Sequence, residues 1–150
     1  MPNPFLSDPK SRLQSWKSLR ETLQAQSNAV DQIDMCVQFF KQAGFENYYL
    51  DWDKHSDWPG AWDLIWNNNF CPSSLSLAVA YTLLLAAPGT FENLSLRLIL
   101  DRTNSIQKII VDWDDWWINY NYLDRTDKNK LKTSVTLNQW IYQNKSWQQQ

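Results

Sequence analysis

The sequence predicts a single α+β domain over residues 1–150, with helices first and an antiparallel sheet after them. Three features of the chain point there. Apolar residues recur at helical spacing through the N-terminal third: Leu13, Trp16, Leu19 and Leu23, then Ala29, Ile33, Cys36, Val37 and Phe40. A nearly unbroken apolar run over residues 75–87, opened by Pro72 and closed by Pro88-Gly89, reads as a buried central helix. Beyond residue 90 the period changes to two, with Leu94, Leu96, Leu98 and Leu100 alternating with Ser95, Arg97 and Ile99.

Asp8-Pro9 supplies an N-cap and a proline at the first helical position, so a helix is expected over residues 9–25. Asn28 caps a second helix that Gly44 is placed to end, with Cys36 inert on its packed face. Residues 48–52 read as a short strand, and residues 53–59 as a polar turn. A short helix over 61–67 would cover Trp62, Ile65 and Trp66 and leave Asp63 opposite, with Asn67, Asn68 and Asn69 stopping it. Pro72 opens the central helix, predicted over 72–86, and makes Cys71 its N-cap. The strand after residue 94 turns at residues 102–105. Residues 106–112 are β-rich, residues 113–115 turn, and residues 116–122 alternate again. Residues 124–132 are charged and loop-like. Residues 135–142 fit a strand or a helix, and the glutamine-rich end from Gln143 reads as frayed. The expected architecture is a central Cys-capped helix and N-terminal helices packed on a sheet of three to four strands.

Composition narrows the function classes. Ten Trp, six Tyr and six Phe make 15% of the chain aromatic, so ring packing should dominate the core. Only three glycines are present, which argues against glycine-rich phosphate loops. The net charge is −2 and no basic block occurs, so no nucleic-acid partner is indicated. The apolar run is too short to span a bilayer, so no membrane partner is expected. The opening residues lack the basic start and apolar stretch of a signal peptide, which predicts an intracellular, reducing location. A disulfide between Cys36 and Cys71 is not expected there. No cofactor is implied.

The chemistry-bearing residue is Cys71. A thiol at a helix N-cap faces unpaired backbone N–H groups and the positive end of the helix dipole, both of which favour thiolate. Ser73, Ser74 and Asn67 to Asn69 are potential donors to an oxyanion. The bland alternative is a small buried hydrophobe beside Phe70.

The order of a cysteine at the mouth of a central apolar helix and then an antiparallel meander, over residues 67–122, resembles the transglutaminase-like branch of the papain-like superfamily. That resemblance implies Cys71 as nucleophile, a histidine at the start of the following strand as base, and an Asp or Asn on the next strand to orient it. The strand over 106–112 holds no histidine; Ser105, Gln107 and Lys108 stand there instead, with Asn119 and Asn121 at the third position. The chain's one histidine, His55, precedes the cysteine in a polar loop and is the remaining candidate base. Asp51, Asp53, His55 and Asp57 alternate like calcium-loop ligands, but Ser56 and Trp62 stand where such a loop needs glycine and glutamate, so no metal site is assigned. Asp112, Asp114 and Asp115 read as a solvated hairpin end.

Ten tryptophans cannot all be hidden in a domain of this size, so some should form a contact surface; Trp58, Trp62, Trp113 and Trp116 are the candidates. The compact Trp-, Asn- and Gln-rich chain also looks like small tailed-bacteriophage proteins. Two function classes follow. The favoured one is a non-catalytic protein–protein interaction or assembly protein on a transglutaminase-like scaffold, with another protein as partner. The other is a cysteine-dependent hydrolase or acyl transferase using Cys71, with His55 as base.

Overall fold

Side-chain caps and prolines start the helices where the sequence places them. The computed structural model describes residues 3–45 and 48–150. Helix α1 spans Pro9–Gln24, with the Asp8 carboxylate accepting from the Ser11 N–H at 2.9 Å. Helix α2 spans Ala29–Phe40 behind the Asn28 cap; it closes at Lys41, so Gly44 is not its terminator. Its inner face buries Ile33, Cys36, Val37 and Phe40.

Residues 48–51 form no strand. The chain instead enters a 3-10 turn, Trp52–Asp57, which the Asp51 side chain caps. Helix α3 spans Ala61–Asn67 and ends at Asn68, which takes the left-handed conformation at φ 57°. The covered side differs from the expected one. Ala61, Leu64 and Ile65 face inward, while Trp62 and Trp66, four residues apart on one stripe, are each 51% exposed. Arg12 of α1 ties down the end of α3: its Nε donates to the Ile65 carbonyl at 2.6 Å and Nη2 to that of Trp66 at 2.7 Å. These are the carbonyls that a helix end leaves without intrahelical partners.

Helix α4 spans Pro72–Ala86 and is the core element, buried from Ser74 to Leu83. Each leucine it fully buries contributes about 1.5–3 kcal/mol relative to exposure. Its buried polar side chains are all satisfied. Ser76 Oγ donates to the Ile109 carbonyl at 2.7 Å, while Thr82 Oγ1 donates to Ala78 O and accepts from Trp16 Nε1 at 2.9 Å. No helix among the described residues is long and apolar enough to cross a membrane.

The second half folds into one antiparallel sheet of six strands, wider than the three or four expected. They are β1 Ser95–Asp101, β2 Ile106–Trp113, β3 Trp116–Ile118, β4 Arg125–Asp127, β5 Ser134–Gln143 and β6 Ser146–Gln149, in spatial order β4-β3-β2-β1-β5-β6. The supposed loop over 124–132 thus contributes β4. The undecided segment is a strand, β5, which lies along β1 with a bulge opposite Leu98 and Ile99. The C-terminus is not frayed. Asn144 and Lys145, both with positive φ, make a two-residue turn that returns the chain as β6 and buries Trp147.

The sheet's inner face, carrying Leu96, Leu98, Ile109, Val111, Ile118 and Trp140, packs under α4. On the outer face Ile99, Ile110 and Trp117 form a smaller cluster, flanked by Tyr120 and Leu131. Asp112 is buried rather than solvated, held between Arg97 at 2.6 Å and Lys128 at 3.3 Å.

Candidate functional site: the cavity at the mouth of helix α4

Cys71 is the N-cap of α4 and is 9% exposed. Its Sγ accepts from the Ser74 N–H at 3.5 Å, and its own N–H donates to Ser74 Oγ at 2.8 Å. This is a capping box in which Cys and Ser stand for the more usual Ser/Thr and Glu/Gln. Cys36, by contrast, is fully buried, and desolvation holds its thiol far above the usual range. The two cysteines are free thiols, not a disulfide.

Cys71 opens onto a cavity of about 530 Å³. One side is built by Cys71, Pro72 and Ser73; another by the start of β2, residues Ile106, Gln107 and Lys108; a third by Asn119 and Tyr120 as the chain leaves β3. Phe45, Tyr48, Tyr49 and Tyr122 complete an aromatic wall, in which Phe45 and Tyr122 meet edge to face at 5.5 Å. Burial pushes the Tyr48 hydroxyl upward, and nearby Cys71 adds to the shift.

Strand register decides which β2 side chain faces the helix. Gln107 pairs with Leu100 and shares its face with Ile109 and Val111, the residues under α4. Lys108 falls on the other face with Ile110. There its ammonium donates to the Tyr120 carbonyl and lies 4.5 Å from the Tyr120 ring centroid. Burial lowers its affinity for the proton, with Asp101 opposing the shift. The residue of β2 that lies on the α4 face beside Cys71, Gln107, is therefore an amide, exposed at the cavity's rim.

Asn119 is the third member of this group and is 4% exposed. Its Oδ1 accepts from the Leu123 N–H at 2.8 Å, which sets the amide orientation. Its Nδ2 then donates to both the Pro72 carbonyl and Ser76 Oγ, each at 2.8 Å. Since Ser76 donates onward to Ile109, the chain Asn119–Ser76–Ile109 clamps the first turn of α4 to β2 and β3. Asn121 is exposed, its Nδ2 3.5 Å from Thr126 Oγ1, and takes no part.

The other expected site residues lie elsewhere. His55 is half-buried in the 3-10 turn, with its ring centroid 6.1 Å from that of Trp58 and 6.4 Å from that of Trp140. Its depression, shared with Tyr81 and Trp147, has no lining residue in common with the Cys71 cavity. Tyr81 is ten residues along α4 from Cys71, roughly 15 Å at the helical rise. The structure does not bring Cys71 and His55 together.

The four tryptophans do not form one patch either. Trp58 is 9% exposed, donates to the Asp51 carbonyl at 2.8 Å and packs on Trp140. Trp62 is exposed on α3. Trp113 and Trp116 pair across the β2–β3 hairpin, both half-buried, one against Phe91 and the other beneath the Arg125 guanidinium at 4.1 Å. Sequence reasoning overlooked the wall of Phe45, Tyr48, Tyr49 and Tyr122. Its only signal was the clustering of aromatics just before and well after the helix.

Solved structures of LapG from Legionella pneumophila share this fold. One matches with a TM-score of 0.72 at 12% identity, over 91% of this chain and 78% of its own. A calcium-bound form matches at 0.72 and 11% identity, over 89% and 76%, and an EGTA-treated form at 0.68 and 12%, over 89% and 74%. The fold is LapG-like. At such identity the likeness is one of fold alone, and it agrees with the transglutaminase-like scaffold that the order of Cys71, helix and meander resembles. No protein-family model matches the chain, and no curated protein does.

Proposed function

We propose that this chain is a non-catalytic interaction protein on a transglutaminase-like scaffold, and that the cavity at Cys71 receives a segment of a partner protein. The observation that carries this is Gln107. It lines the Cys71 cavity at the start of the strand following the cysteine, on the face toward α4, where the resemblance implies a histidine base. A carboxamide neither takes up nor releases a proton near neutral pH, so it cannot activate a thiol or protonate a leaving group. The remaining candidates are unsuited to replace it. Lys108, although it also lines the cavity, is committed to the Tyr120 carbonyl, and His55 lines a separate depression. The aromatic wall suits recognition, since tyrosines offer large contact areas at low entropic cost. The composition resembling small phage proteins would suit an assembly role in that setting.

A second reading, a cysteine-dependent hydrolase or acyl transferase, is favoured by one observation: the Cys71 thiol faces a roomy cavity while accepting a backbone N–H at a helix mouth. Alkylation rates measured against pH separate the two, with the fully buried Cys36 silent in the native chain. The interaction reading expects Cys71 to react no faster than the same thiol in the unfolded chain. It also expects Gln107→His, which would place an imidazole on this face, to raise the rate at pH 7 roughly ten-fold. A native chain that already reacts ten-fold faster than the unfolded one would overturn this reading in favour of the enzyme.

A further inference from the structure

A second cavity, of about 500 Å³, lies between α3, α4 and β5 and has no lining residue in common with the one at Cys71. Three aromatic side chains from three elements line it: Trp62, Tyr81 and Tyr142. Trp62 is half exposed, while the Tyr81 and Tyr142 rings meet edge to face at 5.5 Å. Leu84, Leu85 and Pro88 give it an apolar side. The one charged residue in the lining is Glu92, and no lysine or arginine is among the lining residues.

A second carboxylate stands at the rim. Asp63 Oδ2 would lie 3.8 Å from a Cβ built on Gly60, itself a lining residue. The negative charge of Asp63 also helps hold the Tyr81 hydroxyl above its usual range, though burial is the larger cause. Lys145 lines the adjoining depression, which shares Gly60, Tyr81 and Tyr142 with this cavity. Trp62 already attracts one cation of the chain itself, with the Arg20 guanidinium 5.4 Å from its ring centroid.

We propose that this cavity binds a small free organic cation, an alkylated ammonium with an apolar body, through the Trp62, Tyr81 and Tyr142 rings and the Glu92 carboxylate. Aromatic faces carry negative quadrupole potential, and rings combined with carboxylates select quaternary ammonium groups over neutral isosteres. The volume falls in the range of small-ligand sites, and the apolar side accommodates the alkyl groups. This proposal is independent of the role of Cys71.

The test is calorimetric titration of the whole chain with choline and with its neutral isostere 3,3-dimethyl-1-butanol, following the Trp62 indole by NMR. The expected result is saturable choline binding that shifts the Trp62 signal, with the neutral isostere weaker by about five-fold or more. Glu92→Gln, a surface change that leaves the core intact, should weaken choline by a similar factor, and so should Trp62→Leu. Sedimentation with phosphatidylcholine vesicles distinguishes a lipid headgroup from the free cation. Equal binding of the isostere, indifference to Glu92→Gln, no binding of choline, or binding to vesicles alone would each overturn the proposal.

Discussion

Replacing Asn119 by aspartate exchanges a single NH2 for an oxygen, yet it should cost this fold a large part of its stability. The native amide donates to the Pro72 carbonyl and to Ser76 Oγ, each at 2.8 Å, at a site 4% exposed. Each donated bond is worth about 1 kcal/mol net. The Ser76 hydrogen is already given to the Ile109 carbonyl, so a carboxylate at position 119 would face two acceptors. Burying an oxygen with no donor adds about 1–3 kcal/mol, giving a total of roughly 3–5 kcal/mol at pH 7. Backbone strain does not enter, because Asn119 sits at φ 70° and aspartate tolerates the left-handed region nearly as well.

The deficit should also depend on pH. The new carboxyl would be held neutral, its folded pKa raised above the unfolded value of about 3.9. A raised pKa means that its contribution is present below the unfolded pKa and lost as pH rises through the folded one. The variant should therefore lie closer to the native protein at pH 4 than at pH 7. Urea unfolding at the two values measures both effects. A difference under about 0.5 kcal/mol, or one independent of pH, would refute the clamp and leave Asn119 free to orient a partner in the cavity.

Two further outcomes concern stability. Arg12→Ala should cost about 3–5 kcal/mol in chemical denaturation, because one guanidinium serves the carbonyls of Ser7, Ile65 and Trp66; a loss below about 1 kcal/mol would show that water replaces it. Alkaline unfolding should set in early: burial raises the Tyr81 hydroxyl, which donates to the Pro59 carbonyl, to about 12, so its stabilisation is full below pH 10 and lost between pH 10 and 12, roughly 2 kcal/mol in all. Tyr81→Phe should flatten that part of the pH profile, and an unchanged slope would assign the loss to other groups such as Cys36.

The helix starts were legible because caps are local. Asp8, Asn28 and Cys71 each act on a backbone group three residues away, and proline at the first helical position needs no tertiary context. Residues 61–67 were placed correctly for the same reason, since Asn68 stops the helix by its own left-handed conformation. Which side that helix buries was not legible. Trp62 and Trp66 are more apolar than Ala61, yet the cavity left by α1 and α4 takes Ala61, Leu64 and Ile65. The strands β4 and β6 were hidden because polar edge strands carry little hydrophobic alternation; their partners define them.

By itself, then, the sequence determined the α+β order, the central helix and the cysteine at its mouth, since these follow from periodicity and capping within one segment. Only the tertiary structure decided what that cysteine faces. Whether Gln107 or Lys108 turns toward α4 depends on a strand register that alternates with every residue, and register is set by Leu96 and Leu98 pairing with Val111 and Ile109 across the sheet. It also decided that Asn119 spends its amide on the helix and that His55 lies apart from Cys71, because those contacts join segments distant in the chain.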